Sequence, residues 1–458
     1  MSPKKGVFRD SCSKFAPWLR ITPLRTPLKP SILFVGHSPH LAGAEYSVLR
    51  LIRNLPAEFD ERVLAPGGGG FEEAIRRLEI PFAAFDPLPA LRSKHDGRRH
   101  AALFAERLQK NFAALSAKIE KPDLVHSNTF HVFEGALLAA HWGVPHLWNL
   151  REILAASPSW QPFLSYETWC RLMGSLSDAL VCNSEALAGS LPDAVRPLVR
   201  TIHNGLNPGD IATRAAARAD YRARFGIPET ARVVLTTGNF IPEKGHRAFL
   251  PYLPTLLREF PDLYFLWPGA HHLTYREVRG VLDREGITRV IAPGHIEGFG
   301  YWMAGADLYL LLSETEAFPT VVLESLVAGV PVLARDCGGV REILNKGGGK
   351  LVPLGDLALL AQNLRAFLRG ELRLQGNLPE GFSEEEMARR YAELYRQLLR
   401  QGCRNADERR ALLEDFRQGA AALEPAAREL RYLETLRRHP VARRVLRVLE
   451  RLGVIARE

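Results

Sequence analysis

Glu316 and Glu324, separated by seven residues, are the side chains whose type and spacing most clearly suggest chemistry. The residues between them predict a turn and then a short apolar helix over 320–328, so Glu324 would be a carboxylate in a mostly buried helix. A buried carboxylate needs hydrogen-bond donors, or it takes up a proton. The vicinal hydroxyls of a sugar or a ribose are two donors well spaced for one carboxylate. The alternative is a Glu324 paired with a nearby arginine, with Glu316 exposed.

The start of the same helix suggests an anion site. Pro319 is tolerated in a first helical turn, and the free N–H groups near Phe318 and Thr320 suit a phosphate. The preceding apolar run, residues 307–312, predicts a strand covered on both faces. Ligands bind at the carboxyl ends of such strands, so sugar and phosphate contacts together indicate a nucleotide-sugar site.

A lysine follows another predicted strand in the second half of the chain. The run 233–237 ends in a glycine turn, Gly238 and Asn239, and Lys244 comes shortly afterwards. A lysine near strand ends can act as a point charge on a diphosphate. A solvated surface lysine is the alternative.

The elements that must position these residues alternate between strands and helices, which predicts α/β domains with doubly wound parallel sheets. The first strand, 31–36, leads into a small-residue turn that contains His37 and Gly43, without a Gly-x-Gly-x-x-Gly fingerprint. The strand 123–128 ends in polar residues. Arg151, after the strand 145–149, is a candidate for contact with an acceptor or a phosphate, unless it pairs with a neighbouring carboxylate.

Composition limits the class of protein. A chain of 458 residues predicts two domains with extensions, and the net charge of +9 suits an anionic substrate or membrane surface. No zinc-finger or helix-turn-helix pattern occurs, so nucleic acid is not an expected partner.

Five scattered cysteines without Cys-x-x-Cys predict reduced thiols and no zinc site. No apolar run approaches the length of a membrane span, and we expect a cytoplasmic protein.

The glutamate pair is followed by Gly329-Val-Pro-Val and by a Cys-Gly-Gly-Val-Arg-Glu run at 337–342. This combination resembles the retaining glycosyltransferases of family four, of the type that builds bacterial cell-surface polysaccharide. The likeness runs from about residue 32 to about residue 399. It implies the GT-B fold, in which two Rossmann-like doubly wound domains face a cleft. It also implies sugar transfer from a nucleoside-diphosphate sugar to a glycan or lipid-linked acceptor, with retention of anomeric configuration and with no metal or other cofactor.

The resemblance assigns donor-side roles. Glu316 would contact the hydroxyls of the transferred sugar, Glu324 the nucleotide ribose, and Lys244 the diphosphate. The family has an arginine where this chain has Asn239 beside Gly238. We expect Arg247, Arg276 or Arg341 to compensate for its loss, or donor affinity to be low.

The resemblance also assigns residues on the acceptor side. The family places a His-x-His-like pair beside the transferred sugar, and this chain has His126 and Asn128 at those positions. A structural histidine at 126 is the alternative reading. The turn around Gly43 corresponds in part to the family's cleft floor, and His37 and Arg151 are further cleft candidates.

The predicted domains are a disordered basic leader (1–30), an N-terminal acceptor-side domain (31–207), a C-terminal nucleotide-sugar domain (208–382), a crossover helix that packs on the N-terminal domain (383–400) and a helical basic tail (401–458). The tail ends in an apolar stripe over 441–455 flanked by arginines. Such a helix fits either an anionic inner-membrane surface or a face of its own protein. Two other functions remain open: another GT-B enzyme, such as an epimerase or a phosphorylase, and a non-catalytic binding protein.

Overall fold

A computed structural model describes residues 29–87, 91–92, 97–156, 161–162, 164–207, 209, 214–272, 274–296 and 302–420. Within these residues the chain forms a seven-stranded sheet, a six-stranded sheet and one two-stranded pair. Every pairing within the two large sheets is parallel. The predicted pair of Rossmann-like doubly wound domains is therefore confirmed.

The first sheet has the strand order β3-β2-β1-β5-β6-β8-β9. Its strands are β1 (Ser31–Val35), β2 (Asp60–Ala65), β3 (Phe82–Ala84), β5 (Leu124–Asn128), β6 (His146–Leu150), β8 (Ala179–Cys182) and β9 (Val199–Thr201). The short strands β4 (Leu91–Arg92) and β7 (Gln161–Pro162) pair with each other in antiparallel fashion. The helices of this domain are α1 (Gly43–Asn54), α2 (Gly70–Arg77), α3 (Gly97–Lys118), α4 (Glu134–Trp142), α5 (Tyr166–Ser175) and α6 (Glu185–Ser190).

The second sheet has the order β12-β11-β10-β13-β14-β15. Its strands are β10 (Arg232–Leu235), β11 (Leu263–Leu266), β12 (Val290–Ile291), β13 (Leu308–Leu311), β14 (Val332–Asp336) and β15 (Gly349–Pro353). The helices around it are α7 (Arg214–Phe225), α8 (His246–Phe249), α9 (Leu253–Glu259), α10 (Tyr275–Arg284), α11 (Thr320–Val327), α12 (Val340–Leu344) and α13 (Leu357–Leu368), with a 3₁₀ turn at Pro242–Lys244.

Both central strands are apolar because helices cover both faces of each sheet. All of β1 is buried, and its alternate side chains enter different cores. Trp148 and Trp169 pack around Phe133 in one of these cores. In the second sheet every residue of β13 is buried. The carboxyl ends of these strands are therefore held rigidly.

The last described helix of the GT-B body is α14 (Glu384–Gln401), which begins with Ser383 as its cap, since Ser383 Oγ accepts a hydrogen bond from Glu386 N at 3.1 Å. Its apolar face carries Met387, Tyr391 and Tyr395, which pack into the core of the first domain beside β1. The helix that follows the second domain thus returns to the first.

Residues 406–420 are helical and pack on the first domain. Arg409 on this segment forms a buried ion pair with Asp178 at 2.7 Å, and the two side chains are 1% and 4% exposed. The basic leader up to residue 28 and the apolar stripe at 441–455 lie outside the described residues. Among the residues that are described, no helix has the length and apolar character that crossing a bilayer requires.

Candidate active site

The strand order reverses at one point in each sheet, and the two reversals position the site. In the second sheet, β10 and β13 are neighbours, and the chain proceeds from them toward opposite edges. Loops that leave such a pair diverge and open a crevice at the carboxyl ends of the strands, where open α/β sheets bind ligands. Lys244 follows β10 and Glu316 follows β13. The corresponding point in the first sheet lies between β1 and β5.

Lys244 is held against Glu316 by the turn that carries it. Glu314 N donates a hydrogen bond to Glu243 O at 2.8 Å, which joins the two loops. Gly238, at φ +134°, leaves room for the lysine stem, since a Cβ there would lie 3.0 Å from Lys244 Cγ and Cδ. Lys244 Nζ donates to Glu316 Oε1 at 2.5 Å, with side-chain exposures of 25% and 14%. The ammonium and the carboxylate therefore share one partly open crevice.

Glu324 lies in the middle of α11. The helix begins after Pro319 and ends before Gly329, whose φ is +72°. Four of its residues are buried, whereas Glu324 lies on the partly open side, so the expectation of a helix buried nearly all round is wrong. Burial raises the pKa of Glu324, and the positive charge of Arg50 opposes that rise.

Tyr309 connects the two glutamates. Its hydroxyl, on β13, lies 2.9 Å from Thr237 Oγ1 at the end of β10. Burial raises the pKa of Tyr309, and the negative charges of Glu316 and Glu324 raise it further. Both carboxylates thus lie near the same buried phenol, and Lys244 is paired with one of them.

The first domain closes one side of the crevice. Arg50, on α1, extends its Nη2 to 3.4 Å from Glu324 Oε1 and its Nε to 3.3 Å from Glu384 Oε1. Ala317, next to Glu316, packs within a core cluster of the first domain. The glutamate turn therefore faces the other lobe. Glu324 is therefore paired with an arginine, as the alternative prediction had it. That arginine, Arg50, belongs to the opposite domain.

A second contact between the domains lies at Glu342, on α12. Its carboxylate accepts hydrogen bonds from Glu185 N and Ala186 N, both at 2.9 Å, at the start of α6. His203 Nε2 lies 2.7 Å from the same carboxylate. Glu342 thus caps a helix of the first domain from the second and joins the two domains at this point.

Asn239, at the position of the family's arginine, contacts the loop after the neighbouring strand. Its Oδ1 accepts a hydrogen bond from Ala270 N at 3.1 Å and so supports the neighbouring strand end. Arg247 pairs with Glu277, and Arg341 pairs with Asp336, so both guanidinium groups already have an acidic partner. The expected compensation by Arg247 or Arg341 is therefore not supported by their positions.

Phe318 has a packing role. The side chain is 5% exposed and lies against His203 and Phe382, with ring centroids 5.1 and 5.7 Å away. At this helix start only the backbone of Phe318 and Thr320 remains for an anion. That assignment stays a prediction.

His126 lies in the core of the first domain, so the structure argues against direct contact with a transferred sugar. The residue is fully buried, and its Nδ1 lies 2.6 Å from Tyr395 Oη on α14. Its ring stacks on Tyr391, with centroids 5.5 Å apart. Burial lowers the pKa of His126 to about 3, so the ring is neutral. The predicted role of His126 beside the transferred sugar, as a catalytic residue, is therefore replaced by the alternative of a structural histidine that contacts the crossover helix.

The remaining acceptor-side candidates hold loops at the carboxyl edge of the first sheet. Asn128 donates from Nδ2 to Ala44 O at 3.3 Å. Arg151 donates to Ser47 Oγ and to Asn204 Oδ1, both at 3.0 Å. Gly43 opens α1, and a Cβ there would meet no atom within 4 Å, so no close approach explains this glycine. His37, by contrast, is partly exposed and faces a carboxylate, Glu45, at 3.2 Å.

Arg50 and Glu342 are the contributors that sequence reasoning missed. Arg50 is separated from Glu324 by 274 residues, and nothing in its local sequence marks it. Glu342 belongs to the run at 337–342, but only the fold reveals that it caps a helix of the other domain. Among the described residues, no group of three or more His, Cys, Asp or Glu side chains is arranged to hold a metal ion.

Two family profiles match this chain in succession. The profile of Glycosyltransferase Family 4 matches residues 41–210, and that of Glycosyl transferases group 1 matches residues 217–387. The two profiles therefore meet at the boundary between the two sheets.

Among its relatives is D-inositol 3-phosphate glycosyltransferase of Nocardioides sp., which is 28% identical over 314 residues, or 60% of this chain and 67% of that protein. N-acetyl-alpha-D-glucosaminyl L-malate synthase of Bacillus anthracis is 25% identical, over 49% of this chain and 61% of its own length. The chain thus spans about three fifths to two thirds of these curated relatives.

A solved structure of Anabaena Alr3699/HepE in complex with UDP-glucose matches with a TM-score of 0.60 and 20% identity, covering 84% of this chain and 98% of that one. At that identity the likeness shows the fold alone. Together with the two profiles and the geometry of the crevice, it places the chain in a family: this protein belongs to the family 4 glycosyltransferases, with the GT-B fold.

Proposed function

We propose that this protein transfers a sugar from a nucleoside-diphosphate sugar to a hydroxyl of a glycan or a lipid-linked acceptor, with retention of anomeric configuration and without a metal ion. The proposal is carried by the ion pair of Lys244 with Glu316 at the carboxyl ends of β10 and β13, and by Glu324 on the helix that follows, which pairs with Arg50 of the first domain. Few ligands need an ammonium and two carboxylates together. A sugar joined to a nucleoside through a diphosphate does.

In this proposal each group binds one part of the donor. Glu324 accepts hydrogen bonds from the ribose hydroxyls, because its carboxylate is the one on the helix facing Arg50. Lys244 exchanges its contact with Glu316 for the diphosphate, aided by the free N–H groups at the start of α11. Glu316, released from the ammonium, then accepts from the hydroxyls of the sugar.

The reaction breaks the bond between the anomeric carbon and the diphosphate oxygen and forms a bond to the acceptor oxygen on the same face of the sugar. The acceptor proton passes to the departing phosphate oxygen. Lys244 and the helix N–H groups stabilise the charge that develops on this leaving group, and such stabilisation lowers the barrier only if it strengthens in the transition state. No group on the described part of the chain needs to bond covalently to the sugar.

For the base of the donor we propose uridine as the first candidate, because solved structures of the same fold are described as complexes with UDP and UDP-glucose. For the location we propose the cytoplasmic side of the membrane, with the basic C-terminal segment as the contact to an anionic surface. Both proposals rest on likeness and composition, and both are open to direct test.

The test is a screen of nucleoside-diphosphate sugars with the full chain, with release of free nucleotide as the readout and calorimetry for binding. We expect at least one donor to bind and to be hydrolysed slowly without an acceptor. Glu316→Gln should reduce that hydrolysis at least tenfold. Glu314→Gln, an exposed carboxylate two residues away, is the matched control and should leave it unchanged.

Other outcomes separate the alternatives. A protein that binds no nucleotide sugar would be a non-catalytic member of the fold. Release of free, epimerised sugar without an acceptor would indicate an epimerase. A strict requirement for inorganic phosphate would indicate a phosphorylase.

A further inference from the structure

A cluster of ionisable side chains lies at the carboxyl edge of the first sheet, on the loops after β1, β5 and β6. It consists of His37, Glu45, His131 and Glu152, and we call it the histidine–glutamate cluster. His37 Nδ1 lies 3.2 Å from Glu45 Oε1, and the His37 ring stacks nearly parallel on His131, with centroids 5.1 Å apart. None of the predicted site roles covers Glu45, His131 or Glu152.

The cluster contains polar atoms that the protein itself does not satisfy. Glu45 is 1% exposed, and while its Oε1 faces His37, its Oε2 accepts no hydrogen bond from the described residues. The same holds for Glu152 Oε2 and for His131 Nδ1, which are also buried. Buried polar atoms in native proteins are normally paired, so several unpaired ones on one wall indicate a surface that a polar ligand completes.

The neighbouring charges shift the pKa values of the side chains in the cluster. Burial alone would lower the pKa of His37, but hydrogen bonding and charge from Glu45, with the charge of Glu152, outweigh it and raise that pKa. Burial and the nearby charge of His37 lower the pKa of His131 to about 3, so this ring is neutral. Burial raises the pKa of Glu152, so the cluster places His37 between two acidic side chains, one of which is more readily protonated than usual.

The backbone under the cluster is strained. Thr129, between Asn128 and the His131 turn, has φ +75°, a conformation that a β-branched residue rarely adopts. Trp148 Nε1 donates to Thr129 O at 2.7 Å, and Thr129 N donates to Asn149 O at 2.8 Å, so the surrounding fold enforces it. The loop that carries His131 follows this strained residue and brings the His131 ring against His37.

The cluster lies next to the donor crevice. Ile153, adjacent to Glu152, lies 3.1 Å from the position that a Cβ on Gly338 would take, and Gly338 packs directly on Glu316 O. A ligand on the cluster would therefore lie beside the group that we propose holds the transferred sugar.

We infer that the histidine–glutamate cluster is the acceptor subsite and that it takes an uncharged, hydroxyl-bearing sugar unit. The two acidic side chains accept hydrogen bonds from hydroxyls, and the ring of His37 donates one to a hydroxyl or ring oxygen. A phosphate or carboxylate at this place would meet Glu45 and Glu152, and such like-charge contacts are strongly unfavourable in a partly buried site. The charge of Arg151 acts on the cluster, but two of its N–H groups already donate to Ser47 and Asn204.

This inference rests on the proposed function, and its test keeps the two apart. The full chain is incubated with the donor that it hydrolyses fastest, and nucleotide release is measured with and without acceptors. The neutral panel contains methyl glycosides of glucose, galactose, mannose and N-acetylglucosamine. The anionic panel contains their 6-phosphates, inositol 3-phosphate and L-malate. Loss of donor hydrolysis in the wild type would defeat the proposed function itself, whereas the acceptor panels address only the subsite.

We expect a neutral glycoside to accelerate nucleotide release. Glu152→Gln should reduce that acceleration about 10- to 100-fold, the effect of losing a hydrogen bond to a charged group, while hydrolysis without acceptor stays within about twofold. Glu167→Gln, an exposed carboxylate that pairs with Arg171 on its own helix, is the control and should change neither rate.

His37→Gln provides a second variant on a more exposed side chain, with the exposed His40→Gln on the same loop as its control. We expect His37→Gln to raise the KM for the neutral glycoside at least tenfold with the melting temperature preserved. The inference is overturned if a neutral glycoside accelerates nucleotide release by both cluster variants as much as by the wild type. It is also overturned if anionic acceptors accelerate release more than neutral ones do, or if a chain that hydrolyses the donor is accelerated by no neutral glycoside.

Discussion

Replacement of Lys244 by methionine removes the positive charge from the crevice and preserves the length of the side chain. The ammonium is one quarter exposed and lies 2.5 Å from Glu316. Two unit charges about 4 Å apart near a protein surface attract each other by about 4 kcal/mol at an effective dielectric constant of about 20. Partial exposure screens this attraction, so we take about half of it, or about 2 kcal/mol, as the stabilisation of a departing diphosphate. That corresponds to a loss of roughly 30-fold in kcat/KM.

The assay is steady-state nucleotide release, with kcat and KM separated. Because charge on the leaving group grows as the bond breaks, we expect kcat to fall more than KM rises. The double variant Lys244→Met/Glu316→Gln removes the unpaired carboxylate, and it should regain stability without regaining activity. Lys350→Met, at an exposed lysine on β15, is the control. A Lys244→Met enzyme within threefold of the wild type in kcat/KM would refute the reasoning.

Three further predictions follow from contacts that join distant parts of the chain. Glu324→Gln should weaken nucleotide binding about 10- to 100-fold in calorimetry, because ribose hydroxyls lose a charged acceptor. Burial alone would raise the pKa of Glu342, but hydrogen bonds from His203 and from two backbone N–H groups lower it below the ordinary 4.5. Its stabilisation is thus present above about pH 4.5 and is lost as the pH falls through the lower folded-state value, so the melting temperatures of the wild type and Glu342→Gln should converge in acid. Arg409→Met should lower the free energy of unfolding by about 3–5 kcal/mol in urea titrations, since it leaves Asp178 buried and unpaired.

Each of these predictions has a matched control or a contrary result. Glu314→Gln should bind nucleotide as the wild type does, and equal binding by the Glu324 variant would exclude a ribose contact. Arg410→Met, next to the buried arginine but 53% exposed, should change stability by less than about 0.5 kcal/mol. A constant gap in melting temperature between pH 3 and pH 7 would show that the Glu342 carboxylate does not hold the two domains together.

The fold could be predicted because its signals are local. Buried parallel strands appear as continuous apolar runs, and the residues that follow them reach the carboxyl edge without any tertiary information. Lys244, Glu316 and Glu324 all lie on the connections that leave two such strands, β10 and β13. Their assignment to one site used the rule that ligands bind where the strand order reverses.

The errors concern residues whose partners are far away in sequence. The position of His126 near the end of a strand suggested a site residue. Its ring instead contacts Tyr395, 269 residues later in the sequence, in the core. Alternation along a strand determines which residues share a face, and the sequence does not reveal which face a returning helix will cover. The partner of Asn239 is also distant: its side chain accepts from the backbone of Ala270, 31 residues away, in the loop after the next strand.

The central claim is tested most directly by a crystal structure of the full chain with UDP-glucose or with the donor that the screen identifies. The account predicts both ribose hydroxyls within hydrogen-bond distance of Glu324, about 2.5–3.0 Å, and the diphosphate in contact with Lys244. It also predicts that Arg50 keeps its contact with Glu384 while it yields Glu324 to the ribose. A nucleotide sugar bound elsewhere, or one bound in the crevice with the ribose away from Glu324, would contradict it.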